Sequence, residues 1–565
     1  MPRMRTRWLG VLAGLVLAGC SGARGTGGSS DAPPTSTEAA RFLSQTTYGA
    51  TDATISQVRS AGYAGWIDQQ IITAAPPSHV SDVDARLVQL KAANPTATLN
   101  PQDFYYSYWE QAITGPDQLR QRMKLALSEI FVVSLTDTNV DTRGAASYYD
   151  MLGANAFGNF RTLLERVSLH PMMGVYLTWL ANQKEDTATG RSPDENYARE
   201  VMQLMTIGLY QLNLDGSIRT DASGRPLATY TADDISGLAK VLTGYSYYSV
   251  NPTAGSFRGG RGGTDATIRS MIPYPAFHSI SAKNFLGASI PASTTSDPAG
   301  DLRIALDTLF NHSNVGPFIG RQLIQRLVTS NPSPGYVSRV AGVFNNNGKG
   351  VRGDMAAVVR AILLDSEARG AAAANDINYG KLREPVVRVG NWARAFGATS
   401  TSGDWLIPST SANTSLSQSA LTAPSVFNFF RPGYSPPNTR VGNAGRVAPE
   451  FQIVDEVTVA GYLNTLQTTV DTGIGVNVAG ARDVRATYAA EMELARDTGA
   501  LVDRMNLLLA NGRMSSASRG RIVEAVNAIS VPTIGTPATI NAALVNRVKL
   551  AAYMTMASSE YLVQR

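Results

Sequence analysis

Apolar side chains recur every three to four residues along most of the chain, which is the spacing of one face of an α-helix. Leu119 to Ser134 carries a clear stripe of this kind. The same period returns over the ranges 318–328, 336–344, 354–364, 386–396 and 540–563. The pattern predicts an all-α protein, built as a large multi-helix body.

Strand signals are few. The best is Ser217 to Thr231, where the segment from Asp221 to Gly224 has the composition of a tight turn. We therefore expect one small β-hairpin inserted among the helices. The ranges 251–280, 399–415 and 431–446 show no clear period and are predicted to be long loops.

The N-terminus has the pattern of a bacterial lipoprotein signal peptide. Three arginines within the first seven residues precede a short apolar run, well below the roughly 20 residues of a membrane-spanning helix. Ala18 and Gly19 then leave room for a peptidase before Cys20. We expect removal of residues 1–19 and a lipid on Cys20. Under the sorting rule of Gram-negative lipoproteins, Ser21 favours the outer membrane, facing the periplasm or the surface. The alternative is an ordinary secretory signal.

The cysteine count supports the lipoprotein interpretation, because Cys20 is the one cysteine among 565 residues. The mature protein therefore has no disulfide, thiol nucleophile or cysteine metal site. Residues 20–38 are rich in Gly, Ser, Pro and Thr and are expected to form a flexible tether. The body, 39–565, exceeds a usual single core, so two lobes at about 39–250 and 300–565 are considered.

Charge argues against one class of partner. The formal net charge is +5, and three of these charges belong to the arginines of the signal peptide, which leaves +2. Charged residues make up 16% of the chain, and there is no dense block of lysine and arginine. We expect attachment to a membrane through the lipid and no nucleic-acid partner.

One segment, 191–213, concentrates polar side chains on a predicted helix. Ser192 is read as its N-cap, with Glu195 three residues later completing a capping box. Glu195 and Arg199 have the spacing of an ion pair. In the functional interpretation, Arg199 and Glu200 face a cleft as anion binder and acid, base or ligand. The alternative is a capping box and an ion-pair network that hold two helices together.

Two further regions supply candidate residues. Thr231 is predicted to cap a helix whose first turn contains Asp233 and Asp234, and the helix dipole explains two acids there unless one turns inward as a ligand. His278 lies in a predicted loop, five residues before Lys283. A loop histidine is either functional or simply solvated.

Known signatures add little. The chain has four histidines, and no two have metal-ligand spacing. There is no G-x-S-x-G elbow and no phosphate-binding loop. The sequence therefore identifies no cofactor. A mixed carboxylate and histidine metal site assembled by the fold stays open.

Several stretches resemble one bacterial family, the domain of unknown function numbered 1800. They are Ala40 to Gly49, Leu119 to Ser128, Asp194 to Glu200, Tyr230 to Asp234, Leu242 to Tyr245, Gly380 to Pro385 and Ala423 to Gly433. The resemblance covers roughly 39–565 and implies a large, exported helical protein. It also implies a co-exported partner from a second family, numbered 1501, which looks like the alkaline phosphatase and sulfatase superfamily. It implies no established reaction.

Two hypotheses follow. The first is an envelope protein without enzymatic activity, which binds or scaffolds a co-exported partner. The second is a hydrolase-type enzyme with one polar cleft, assembled from Glu195, Arg199, Glu200, Asp234, His278 and Lys283.

Replacing the cysteine tests the lipoprotein prediction. Cys20→Ser removes the only thiol, so we expect it to abolish labelling of the protein by a radioactive fatty acid and its partition into the detergent phase. Ser21→Ala, which keeps the thiol, is the control and should remain labelled. A Cys20→Ser protein that is labelled like the wild type would show that the prediction is wrong.

Overall fold

Helices make up most of the structure, a computed structural model in which residues 33–260 and 263–565 are described. The mainly helical class predicted from the periodicity is confirmed. The predicted signal peptide and Cys20 lie outside the described residues. Helices α1 to α10 are Ser36–Thr46, Asp52–Ile72, His79–Ala93, Pro101–Thr114, Gln118–Ser128, Thr142–Ala154, Phe160–Leu169, Pro171–Tyr176, Asn196–Gln203 and Ala232–Val241.

The second part of the chain is also helical, with short strands between the helices. Helices α11 to α25 are Ala254–Phe257, Pro298–Asn311, Val315–Leu327, Pro334–Asn345, Met355–Leu364, Ser366–Arg369, Ala371–Asn375, Pro385–Ala395, Arg440–Asn443, Glu456–Thr472, Ala489–Leu494, Thr498–Ala510, Ser516–Asn527, Pro537–Met556 and Ser559–Leu562. Strands β1 to β9 are Tyr245–Ser246, Ile272–Pro273, Lys283–Phe285, Ala288–Ile290, Lys381–Leu382, Thr399–Ser400, Ile474–Val478, Ala481–Arg485 and Val563–Gln564. Two 3₁₀ helices are Pro275–Phe277 and Pro449–Ile453.

The strands form small antiparallel groups. β1 pairs with β2, β3 with β4 and β5 with β9, and β8 lies between β6 and β7. The β5–β9 pair sets Gln564 opposite Lys381. The buried Gln564 amide also donates to the carbonyl of Leu327, at the end of α13, at 2.8 Å. The C-terminal strand therefore holds Lys381 beside the end of α13.

The start of α1 corrects the predicted tether. Thr35 and Glu38 form a capping box, in which each side chain accepts a hydrogen bond from the other residue's backbone N–H. This box satisfies two donors of the first turn, so the helix begins at Ser36. Ser36 to Glu38 therefore belong to the body and not to the tether.

The capping box predicted at Ser192 is wrong. Residues 186 and 191 pair as an isolated antiparallel bridge, and the chain stays non-helical up to residue 195. The helix α9 begins at Asn196, whose N–H donates to the Asp194 carboxylate at 2.8 Å. The N-cap predicted at Thr231 is confirmed, since Thr231 and Asp234 form the capping box of α10.

The predicted hairpin is present as an irregular ribbon. Gly224 N–H donates to the carbonyl of Asp221, which closes the predicted turn. Isolated bridges join Thr220 to Pro226 and Tyr210 to Ala228, so the ribbon reaches back to residues 209–212. Asn314, at the start of α13, donates to the carbonyl of Tyr210 at 2.8 Å and holds the ribbon against the body.

The described body shares one main hydrophobic core. One main cluster of buried apolar residues extends from α1 to α25. Residues 34–565 form one compact unit by their contacts, so the two lobes considered from chain length are not separate units. Within the described ranges, we find no helix with both the length and the apolar character required to cross a membrane.

Gly237 allows a close approach of α10 to the β3–β4 hairpin. A Cβ added at Gly237 would lie 1.8 Å from the backbone oxygen of Asn284. We expect Gly237→Ala to lower the free energy of unfolding by roughly 1–3 kcal/mol or more. Gly342→Ala is the control, because it lies in α14 with open space around it and should stabilise by about 0.5–1 kcal/mol. Denaturant unfolding measures both changes. Equal effects would contradict this account.

Candidate functional site

Six charged side chains from distant parts of the chain meet in the interior. We call them the charge network, and each is at most 4% exposed. Side chains of this kind are almost never buried so completely unless they are paired. The network consists of Arg122, Glu129, Arg326, Lys381, Glu384 and Glu450.

Lys381 is the centre of the network. Its ammonium lies 3.1 Å from the carboxylate of Glu384 and 3.0 Å from that of Glu450, and it donates to the carbonyl of Arg326 at 2.8 Å. Burial acts to lower the pKa of Lys381, but Glu450 and Glu384 raise it overall. The ammonium is therefore charged, and it joins β5, α13, α18 and the 3₁₀ helix Pro449–Ile453.

Glu129 and Glu384 form a carboxyl pair. The amide of Gln418 donates to Glu129 at 3.2 Å and to Glu384 at 2.9 Å. Burial and the neighbouring Glu384 raise the pKa of Glu129 well above its ordinary value, more than Arg326, 3.4 Å away, lowers it. Burial acts to raise the pKa of Glu384 too, but Lys381, Glu129 and Arg122 lower it to about 2. The two carboxyls therefore titrate as a coupled pair, in which Glu384 ionises first and Glu129 retains the shared proton to higher pH.

A cavity of about 440 Å³ lies against Glu129 of this pair, and its size is within the range of small-molecule sites. Glu129 and Arg326 of the charge network form part of its wall. Most of the remaining wall is apolar. The complete lining is Glu129, Ile130, Gln203, Leu204, Gly208, Leu209, Phe318, Gln322, Arg326, Val426, Phe427, Asn428, Arg431 and Pro432.

Buried amides in the cavity wall lack partners. Asn428 is 7% exposed and Gln322 is 5% exposed. Both side-chain polar atoms of Asn428 and the Nε2 of Gln322 make no hydrogen bond within the described structure. A buried donor or acceptor left without a partner costs about 1–3 kcal/mol. Such groups gathered at one cavity indicate a place where another molecule supplies the partners.

The loop that carries Asn428 is held in place by packing against the body. Asn428 has a φ of +65°, a left-handed conformation that asparagine tolerates better than most residues. Phe429 and Phe430 pack with Val132 and Ala423 in a small buried cluster. The amide of Gln325 donates to the carbonyl of Pro432 at 3.1 Å. The orientation of Asn428 is therefore set by packing on both sides of it in the chain.

The candidates predicted from the sequence lie apart from the charge network, and most have local partners. Glu195 and Arg199 form the predicted ion pair at 3.3 Å, with both side chains more than 40% exposed. Asp234 accepts hydrogen bonds from Thr231 in its own capping box and from Leu286 N–H at 2.7 Å. These contacts connect α10 to the β3–β4 hairpin, so Asp234 has a structural role that the sequence left open.

His278 and Lys283 do come together, on a partner that the sequence did not identify. His278 Nε2 lies 2.9 Å from the carboxylate of Asp301, and Lys283 Nζ lies 2.8 Å from the same oxygen. His278 Nδ1 lies 2.8 Å from the carbonyl of Thr243. His278 is fully buried, so the solvated loop histidine considered from the sequence is excluded. The trio ties the loop and β3 to α12.

Glu200 differs from the other predicted candidates. It is 7% exposed, burial raises its pKa, and its Oε2 has no hydrogen-bond partner in the part of the chain described. One turn further along α9, Gln203 accepts from the hydroxyl of Tyr230 at 3.2 Å and lines the cavity. The helix with the predicted candidates therefore contributes to the cavity through Gln203.

Two other kinds of candidate site, a metal site and a second cavity, have less support. Across the described residues, no group of three or more His, Cys, Asp or Glu side chains is placed to hold a metal ion. A larger, more polar cavity of about 750 Å³ lies between β7–β8 and α24. Its charged lining includes Asp471, which pairs with Lys549 at 2.8 Å. It lacks the carboxyl pair and the unpartnered amides, so we take the smaller cavity as the candidate site.

The comparison with known families agrees with the sequence resemblance. A family model described as "Protein of unknown function (DUF1800)" matches residues 41–563. No curated protein and no solved structure matches the chain. Three of the stretches that carry the resemblance supply residues of the two features. Leu119 to Ser128 and Gly380 to Pro385 contribute to the charge network, and Ala423 to Gly433 contributes to the cavity wall.

The two carboxyls should respond oppositely to amide replacement. Glu384→Gln removes an ionised partner of Lys381, so we expect a loss of about 3–5 kcal/mol at neutral pH. Glu129→Gln resembles the protonated acid and should leave stability at neutral pH unchanged or higher. Urea unfolding of both variants and the wild type measures this.

The pH dependence has a definite sign for each carboxyl. Since the pKa of Glu129 is raised, the wild type should lose stability as pH rises above about 4.3, where the unfolded chain ionises and the folded chain does not. Glu129→Gln should flatten that loss. Since the pKa of Glu384 is lowered to about 2, its contribution should disappear as pH falls from about 4.3 towards that value. Equal destabilisation by the two variants would contradict the shared proton.

Proposed function

The chain belongs to the family described as protein of unknown function (DUF1800), and on that premise we propose that it is an exported binding protein of the cell envelope. Its binding site is the 440 Å³ cavity beside Glu129. The observation that carries this proposal is the group of buried polar atoms without partners in the cavity wall, on Asn428 and Gln322.

Binding explains these atoms better than packing does. An apolar side chain of similar shape at Asn428 or Gln322 would avoid the cost of a buried, unsatisfied amide. Both positions are held by surrounding structure, since Gln322 lies within α13 and Asn428 on a loop fixed by packing. Rigid polar groups set in a mostly apolar wall are typical of small-molecule sites.

The N-terminal sequence pattern supports a proposal for the location of the protein. We propose cleavage before Cys20, a lipid on that residue and attachment to the outer membrane, facing the periplasm or the surface. A co-exported protein of the family numbered 1501 is the proposed partner. In this arrangement the chain presents or collects a ligand at the envelope while the partner acts on it.

A hydrolase is the second candidate, and Glu200 is the observation that favours it. Its buried carboxyl has a raised pKa and an unpartnered oxygen, which are properties of catalytic acids. An enzyme would convert its ligand, so Glu200→Gln would change the molecule that co-purifies with the protein. A co-purified molecule of unchanged mass would remove this alternative.

Filling the cavity tests the binding proposal. Val426 lines the cavity and packs, partly buried, at the edge of the main core, so Val426→Trp adds bulk to the cavity. We expect wild-type protein purified from its own envelopes to carry a small molecule and Val426→Trp to lose it. Native mass spectrometry measures the bound mass.

The control is Val457→Trp, at an exposed valine on α20 that does not line the cavity, and it should retain the molecule. A wild-type protein that carries no molecule would contradict the proposal. Equal retention by both variants would show that the molecule binds elsewhere and would also contradict it.

A further inference from the structure

We propose that the ligand of the cavity is an amphipathic organic anion, a carboxylate with an apolar body. This inference rests on the proposed binding function and names the chemical class that the site selects. It is carried by the charge facing the cavity, the excess of hydrogen-bond donors and the apolar walls.

The charged groups that line the cavity are Glu129, Arg326 and Arg431. Burial and the neighbouring Glu384 raise the pKa of Glu129, which disfavours a negative charge on this side chain. The guanidinium of Arg326 stays charged even when buried. Arg431 is exposed beside the cavity, and its guanidinium lies 4.8 Å from the ring centre of Phe427. The wall therefore carries two guanidinium groups and one carboxyl group, Glu129, which lies 3.4 Å from Arg326.

The unpartnered polar atoms are mainly donors. The donors are Nδ2 of Asn428 and Nε2 of Gln322, and the acceptor is Oδ1 of Asn428. Nε of Arg326 and Oε2 of Glu129 make no hydrogen bond, but they face each other as an ion pair at 3.4 Å. A carboxylate has two oxygens that accept hydrogen bonds and no donor. A carboxylate therefore matches the excess of donors in the wall. An ammonium does not match it, because an ammonium only donates hydrogen bonds.

The rest of the wall fits an apolar chain. Phe318 and Phe427 are aromatic, and Leu204, Ile130 and Val426 are aliphatic. Gly208 has a φ of +73°, and a Cβ there would lie 2.8 Å from the ring of Phe318, so glycine lets this ring close one wall. Leu209 also lines the cavity and is 50% exposed. An apolar body would cover these groups while its acid reaches Arg326.

Four probes of equal chain length test the inference: octanoate, octan-1-ol, octylamine and octyl phosphate. Each is titrated by calorimetry into the purified full chain in lipid nanodiscs, with empty nanodiscs as the reference for uptake by lipid. We expect octanoate to bind about ten- to hundredfold more tightly than octan-1-ol, because the alcohol cannot make the charge-assisted hydrogen bonds of the carboxylate. We expect octylamine not to bind.

A negative charge introduced into the cavity wall gives a second test of the inference. Asn428→Asp keeps the shape of the side chain and removes a donor, so octanoate should weaken by about tenfold or more. Asn464→Asp, at an exposed position of α20 outside the cavity, is the matched control and should bind octanoate like the wild type. Because the comparison of probes uses wild-type protein, a fold defect in Asn428→Asp would not remove the test.

The outcomes separate this inference from the proposed function. If octan-1-ol or octylamine binds as tightly as octanoate, the anionic class is overturned and binding stands. If octyl phosphate binds more tightly than octanoate, the carboxylate is overturned. If none of the four binds while a molecule co-purifies from envelopes, the amphipathic anion is wrong and the binding function remains.

Discussion

The buried ammonium of Lys381 is the interaction on which the region around the site depends. It holds the carboxylates of Glu384 and Glu450 and the carbonyl of Arg326, and the pairing of β5 with β9 fixes its own position. A charge this deep is tolerated only when its partners are complete. The ends of α13, the start of α18 and the C-terminal strand are therefore placed together, and they bring Glu129 and Arg326 to the cavity.

The helical spacing of apolar residues predicted much of the body, because most helices bury one apolar face. For example, the spacing over 354–364 predicted α15, which spans Met355–Leu364 in the structure with Asp354 as its N-cap. The Glu195–Arg199 pair and the cap at Thr231 were also predictable, since both depend on residues within four positions. The start of α9 was not, because a bridge between residues 186 and 191 overrides the favourable Ser-Pro sequence.

The site itself could not be predicted by local rules. Residues 129, 326, 384 and 450 are far apart in sequence and meet only through the fold. One signal was available, in α5. Its charged residues Arg122 and Lys124 alternate with the apolar Met123 and Leu125, and the structure buries all of this helix except Arg120, so these charges need internal partners. His278 shows the opposite case, a predicted site residue that stabilises the fold through Asp301.

The central claim is that another molecule completes the hydrogen bonding of the cavity. An experimental structure of the protein purified from its own envelopes tests this most directly. The account predicts density for a molecule larger than water between Asn428, Gln322 and Arg326, with the Asn428 amide bonded to it. A cavity that contains only water, with these amides turned to protein partners, would contradict the claim.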